Sequence, residues 1–431
     1  MNGGRTNKKN TVMQRLKTVP KSAQRIFGAA GAKVRSFLRN FYQIPWCVPT
    51  WGWKEFCVTL QCIFAGRASH GTYPRVFVNS VKDFLGVQYA LPVGRGRVAI
   101  EVALRAMGVG EGDLVVVPSY VCRTAVDPIF RVGARPTFAD VRPSDLHVTV
   151  ETVRAALRQQ TKCVIVPHLF GNSAPIDGIE KLLQGTGIKL IDDAAQSFGA
   201  RCADRFVGTF GTCGIVSCGP GKALAGSAGG LLVTNDRELY ERAAAIPLRL
   251  ESSATVVRRV LSFWFWRRFR GWTLPLAVLL NSLLNMDVDE EVSYLLSAVS
   301  NLESAIALAQ FQASRSNAGR RRSNAETLLR ALNGWSRYSV SDLSQDSVVV
   351  KLVLLLPREG PDTKWFFDAM AQRGVECQRG YAPLHLEFET LPSSLPNTED
   401  LWNRVVCIPI EIGLEGFEHD YLLPSAHPNL G

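Results

Sequence analysis

IDDAAQSFGA at residues 191–200, followed by GIVSCGPGKALAGSAGG at 214–230, is the stretch from which the fold of this 431-residue chain can be read. The first piece completes a short apolar run, Lys189-Leu190-Ile191, and ends it on two carboxylates, Asp192 and Asp193. That is how a buried parallel strand delivers acids to the carboxyl edge of a sheet. The second piece ends another short strand in a glycine- and proline-rich turn that presents one lysine, Lys222, with Ser217 five residues before it. Upstream, strand and helix alternate: QYALPV (88–93), a helix VAIEVALRAMGV (98–109), DLVVVPSY (113–120), VCRTAVDPIFRVG (121–133), PTFADV (136–141), a helix over 150–159, and CVIVPHLFG (163–171). Alternation at this spacing predicts an α/β fold with a mostly parallel sheet and crossover helices.

An aspartate on one strand end and a lysine on a later one are what a pyridoxal 5'-phosphate site requires. The carboxylate pairs with the pyridinium nitrogen and keeps the ring an electron sink, and the amine binds the aldehyde carbon. Ahead of them the strand 88–93 runs through Gly94-Arg95-Gly96-Arg97 into a helix. A strand, a glycine turn and a helix N-terminus together form a cradle of backbone amides for phosphate.

These residues resemble the DegT/DnrJ/StrS sugar aminotransferases, and the likeness runs from about Gly66 to about Leu423. The resemblance implies a fold-type I, pyridoxal-phosphate enzyme, with a large sheet domain of the seven-stranded type and a small α+β C-terminal domain. It places Asp193 on the family's ring-nitrogen aspartate, Gln196 near the ring hydroxyl, Ser217 on the phosphate-binding serine and Lys222 on the lysine that carries the cofactor. Gly96 matches the glycine of the phosphate turn. Arg97 stands where the family has a phosphate-contacting threonine, and either its guanidinium or its backbone amide can serve. The ring-stacking aromatic position falls on Cys122, so either the thiol lies there or Tyr120 does the stacking from two residues earlier. His168 matches a histidine common in the family, with a structural role equally open. Asn172 and Asp177 read as caps of the following helix. RGYAPLH (379–385) resembles the family's substrate-side loop and makes Tyr381 and His385 substrate candidates.

Other positions depart from the family. Its Asn-Tyr-Arg motif is occupied by Leu296, Ser297 and Ala298, and the acid before the paired glycines is Ala228. Asp193 and Lys222 are untouched, so the chemistry is retained while the usual substrate shell is not. The activity implied is transfer of an amino group from an amino acid, glutamate or glutamine, to a keto sugar linked to a nucleotide, by a homodimer. A cofactor-binding scaffold or membrane-recruited regulator without turnover is the other reading.

Apolar residues at 46% and charged ones at 20% are ordinary globular values and argue against a disordered chain. The ten cysteines lack metal-ligand spacing, and Cys163, Cys213 and Cys407 lie in apolar runs, as in a reducing, cytoplasmic setting. The net charge of +11 is concentrated before Pro45, where Arg5, Lys8, Lys9, Arg15, Lys17, Lys21, Arg25, Lys33, Arg35 and Arg39 face no acid. This arm either lies on an anionic membrane surface or is solvated. Aromatics are not interleaved with the charges as nucleic-acid binding would need. The segment 256–286, VVRRVLSFWFWRRFRGWTLPLAVLLNSLLNM, reads as an interfacial helix or as a lid or dimer-interface insertion. The organisation expected is an arm (1–45), a cofactor domain with its entry segment (46–250), the insertion and a connecting helix (251–325), and a small domain (326–431).

Overall fold

The computed structural model describes residues 51–268, 294–331, 339–359, 362–372, 375–388 and 394–411. The basic arm, residues 46–50, the 269–286 part of the Trp/Arg segment and the last twenty residues lie outside that range. The strands form where β-branched and apolar residues run together: β1 (Tyr89–Val93), β2 (Leu114–Pro118), β3 (Arg135–Ala139), β4 (Thr161–Pro167) and β5 (Lys189–Asp193). A hairpin of β6 (Arg201–Cys202) and β7 (Arg205–Phe206) leads to β8 (Cys213–Ser217) and β9 (Gly230–Thr234).

Seven of these make one sheet in the order β1-β9-β8-β5-β4-β2-β3. The five from β8 to β3 are parallel, and β9 runs antiparallel to both neighbours. Central strands covered on both faces are buried throughout, which explains why β8 and β9 have no exposed position. The helix Gly96–Ala106 packs on β8 and β9 and is itself nearly all buried. Parallel pairing puts the carboxyl ends of β2, β4, β5 and β8 on one edge, where a ligand site of an open α/β sheet forms.

The helix Asn301–Gln312 is buried all round because its small residues, Ser304, Ala305, Ala307 and Ala309, let the helices Trp53–Phe64 and Tyr73–Leu85 pack closely on it. The helix Ser253–Arg268 covers the first part of the Trp/Arg segment, and Val256 and Val260 pack with Cys62, Leu302 and Ile306. Among the described residues no helix is long and apolar enough to cross a membrane. A second sheet has β12 (Val405–Ile408) between β10 (Leu352–Leu355) and β11 (Gln378–Arg379), all antiparallel, over its own core of Leu354, Phe366, Met370 and Val406.

Two local expectations differ. The helix expected over 150–159 stops at Ala156. Asn172 and Asp177 do not cap the helix Ile176–Leu183, whose N-cap is Pro175; Asn172 instead donates to the Val340 carbonyl and accepts from the Asp342 N–H.

Candidate active site

β5 ends on Asp193, β8 ends on Ser217, and the turns that follow return to the same edge. Asp193, Gln196, Ser217 and Lys222 line one cavity of about 170 Å3 with Gly96, Arg97 and Cys122. Asp193, Gln196 and Ser217 are buried and Lys222 is half-buried.

The phosphate-type turn and the lysine turn are stitched together. Gly229 N–H donates to the Gly94 carbonyl at 2.8 Å, and Cys218 N–H donates to the Gly229 carbonyl at 2.9 Å. At Gly96 a Cβ would lie 3.0 Å from the Ser217 Cβ and 3.1 Å from its Oγ, so a side chain there would crowd the serine. The helix N-terminus and the serine therefore share a cradle that a methyl group would fill. With a buried carboxylate and a lysine on the same wall, this donor set fits pyridoxal phosphate: anion cradle, ring-nitrogen partner and amine.

The two acids of β5 have separate environments. Asp192 is fully buried; its Oδ1 lies 2.6 Å from His168 Nε2, and its Oδ2 accepts from Gly208 N–H at 2.6 Å and Phe210 N–H at 2.9 Å. His168 Nδ1 accepts the Ala174 N–H at 2.8 Å, so its hydrogen sits on Nε2 and is given to Asp192. Asp193 faces the cavity and accepts one N–H, from Ala195 at 3.0 Å. Burial pushes its carboxyl above the ordinary range, and the Ala195 hydrogen bond and the charge of Lys222 pull the other way.

The remaining candidates divide clearly. Cys122, not Tyr120, reaches the cavity wall. Tyr120 is fully buried, edge-on to Tyr381 and under Gly380, where a Cβ would meet its hydroxyl at 2.0 Å. Tyr381 accepts a hydrogen bond from Gln196 Nε2 at 2.9 Å and stacks on Phe170, so it stands one contact behind the wall. His168 is enclosed by Asp192 and Ala174, away from the cavity. His385 is 1% exposed and bridges Ser119 Oγ at 2.8 Å to Glu399 at 3.2 Å. Both histidines are held within the protein and do not reach the cavity wall.

One residue was missed by sequence reading. Arg95, at the N-cap of the Gly96–Ala106 helix, lines the cavity, and its side chain has no hydrogen bond or ion pair among the described residues. Burial, and then Arg259 nearby, hold its guanidinium below the ordinary value. Its signal was present in the turn sequence Gly-Arg-Gly-Arg, where two cations flank the glycine that opens the phosphate cradle.

The chain belongs to the DegT/DnrJ/EryC1/StrS aminotransferase family, whose description matches residues 54–423. It is a pyridoxal-phosphate-dependent aminotransferase. GDP-perosamine synthase of Escherichia coli O157:H7 is 27% identical over 365 residues, 83% of this chain and 90% of that protein. L-glutamine:2-deoxy-scyllo-inosose aminotransferase of Streptomyces fradiae is 35% identical over 179 residues, 42% of each chain. Among solved structures, the aminotransferase TlmJ from Streptoalloteichus hindustanus superposes with a TM-score of 0.71 at 25% identity, covering 88% of this chain and 96% of that one.

Proposed function

We propose that this aminotransferase moves the amino group of glutamate or glutamine to a keto sugar carried on a nucleotide. Support comes from GDP-perosamine synthase, with its nucleotide-linked name, and from the glutamine donor named in the inosose aminotransferase. The observation that carries the chemistry is the meeting of Asp193, Gln196, Ser217 and Lys222 with the Gly96 turn in one cavity.

Bound there, the cofactor supplies an electron sink for the negative charge that develops at the donor α-carbon. Ser217 Oγ and the amides at Gly96 and Arg97 hold its phosphate, with the guanidiniums of Arg95 and Arg97 adding charge. Asp193 keeps the ring nitrogen protonated, and its burial makes that pairing strong. Gln196, fixed by Tyr381 and by the Phe170 N–H at 3.3 Å, orients the ring from one edge. Lys222 would carry the cofactor, and its amine is placed to move the proton of the donor α-carbon.

The same reading includes a homodimer, cytoplasmic placement and contact of the basic arm with anionic membrane, supported by family resemblance and by the charge of residues 1–45. Liposome flotation of the full chain against one beginning near Trp46 tests the arm, and equal flotation removes it. The test of the activity is the absorption spectrum of the purified protein before and after glutamate. A band near the visible edge that bleaches with glutamate and is missing in Lys222→Ala is expected. A band indifferent to every amino donor would refute the reading.

A further inference from the structure

The helix Gly96–Ala106, whose N-terminus opens the cavity, carries a buried charge that the site described so far does not use. Glu101 is fully buried and both its oxygens are met. Oε1 accepts from Arg105 Nε at 3.0 Å and from Arg105 Nη2 at 2.7 Å. Oε2 accepts from Arg131 Nε at 2.8 Å and from the Tyr294 hydroxyl at 2.7 Å. Burial alone would raise the Glu101 carboxyl, but the hydrogen bonds of Tyr294, Arg105 and Arg131 together hold it below the ordinary carboxylate range. Four bonds to one ionised carboxylate make a firm anchor.

What the anchor holds is the Tyr294 ring. Tyr294 is 8% exposed, and two cations lie over its ring: the guanidinium carbon of Arg131 is 4.4 Å from the ring centre and that of Arg97 is 5.2 Å. Arg131 is answered by Glu101. Arg97 makes no hydrogen bond or ion pair among the described residues, so the ring face is its hold. A cation within about 6 Å of a ring centre is attracted by the electron-rich face. Arg97 also lines the cofactor cavity, whereas Glu101, Arg131 and Tyr294 do not. It shares that wall with Arg95, whose guanidinium feels its charge. A long side chain left free beside a like charge would spend its time in solvent, and ordering it would cost rotamer freedom when the ligand arrives.

We propose that Tyr294, fixed by Glu101, is a positioning residue that keeps the Arg97 guanidinium on the cavity wall, ready for the cofactor phosphate. The inference rests on the reading of Arg97 as a phosphate contact and adds the residues that stand behind it. It joins the Glu101–Arg131–Tyr294 cluster to the site through one side chain.

The test compares the affinity of the full-length protein, freed of cofactor, for pyridoxal phosphate and for pyridoxal, by fluorescence titration. The ratio of the two reads the grip on the phosphate and cancels effects on the ring, on Lys222 or on folding. Arg97→Met should lower the ratio about tenfold or more, as loss of a charge-assisted contact does. Tyr294→Leu should lower it about fivefold with Arg97 still present. Tyr294→Phe keeps the ring face and gives up the bond to Glu101, so it should lose stability in urea and yet change the ratio less than about twofold. In the double variant the ratio should equal that of Arg97→Met alone, because no guanidinium is left for the ring to hold. A ratio unmoved by Tyr294→Leu, equal losses in Tyr294→Leu and Tyr294→Phe, or losses that multiply in the double variant would overturn the proposal and leave Arg97 as a phosphate contact. A ratio unmoved by Arg97→Met would remove that contact and the proposal with it. Should Tyr294→Leu not fold, phenylalanines with successive fluorines at position 294 weaken the ring face while nearly keeping its shape. The ratio should then fall stepwise, and a flat series would overturn the proposal.

Discussion

The adjacent acids of β5 should separate stability from chemistry when each is made an amide. Asp192→Asn keeps the shape but cannot keep the hydrogen bonds. If its oxygen faces the Gly208 and Phe210 N–H groups, its NH2 faces His168 Nε2, which already carries a hydrogen. Moving that hydrogen to Nδ1 sets it against the Ala174 N–H instead. Turning the amide over opposes two backbone donors with a third. In every arrangement one buried donor pair is left facing itself, and the charge that strengthened the set is gone. Hydrogen bonds to a buried charge are worth about 1.5–3 kcal/mol each and an unmet donor costs about 1–3, so a loss of about 2–5 kcal/mol is expected. Asp193→Asn can still accept the Ala195 N–H and should cost less than about 1 kcal/mol. It should nonetheless slow the glutamate half-reaction on the order of 10²–10³-fold, as expected when a buried charge aimed at the reacting system is removed. Urea unfolding of the cofactor-free proteins and stopped-flow absorption of the loaded ones read the two effects separately. Equal stability of Asp192→Asn and the parent, or a stability loss in Asp193→Asn as large as in its neighbour, would refute the division.

Gly96→Ala should leave folding intact and raise the cofactor dissociation constant roughly tenfold, measured by equilibrium dialysis, because its methyl occupies the space against Ser217. Gly171→Ala should destabilise by about 1–3 kcal/mol in urea, since φ is +99° there and a Cβ would lie 2.6 Å from the Val349 nitrogen. His147 is buried, accepts the Leu169 N–H at 2.9 Å, and is pushed by burial from 6.5 down to about 4. The unfolded chain therefore takes up a proton near pH 6.5 that the folded one refuses. This group's stability is full above pH 6.5 and falls by up to about 3 kcal/mol as pH drops toward 4. His147→Gln should flatten that part of the melting temperature against pH curve, and an unchanged curve would contradict the assignment.

Asp193, Gln196, Ser217 and Lys222 were legible because each sits at or just after the end of a short apolar run, and parallel pairing brings such ends to one edge. Tyr120 and Cys122, two residues apart, share a side only on a continuing strand, whereas β2 ends at Pro118 and the chain turns toward a single helical turn at Arg123–Ala125. The histidines were unreadable for another reason. What silences His168 is Asp192, and what holds His385 is Ser119, 266 residues away in the chain, with Glu399. No local pattern reports such partners. Arg95 is hard to read from sequence because a glycine turn is explained by its backbone alone, whereas in the fold Arg95 also lines the cavity.

The tight contact between Gly94 and Ser297 has a consequence for how this sequence can change. Gly94 N–H donates to the Ser297 carbonyl at 2.6 Å, and a Cβ on Gly94 would lie 2.1 Å from the Ser297 hydroxyl. By the family resemblance, position 297 is that of the middle residue of Asn-Tyr-Arg, and here the Ser297 hydroxyl fills the space a side chain at 94 would need. A side chain at 94 and the hydroxyl at 297 therefore exclude one another, and the two positions are expected to change together. Grafting the family motif into this chain is therefore expected to need a matching change in the turn at 94–97.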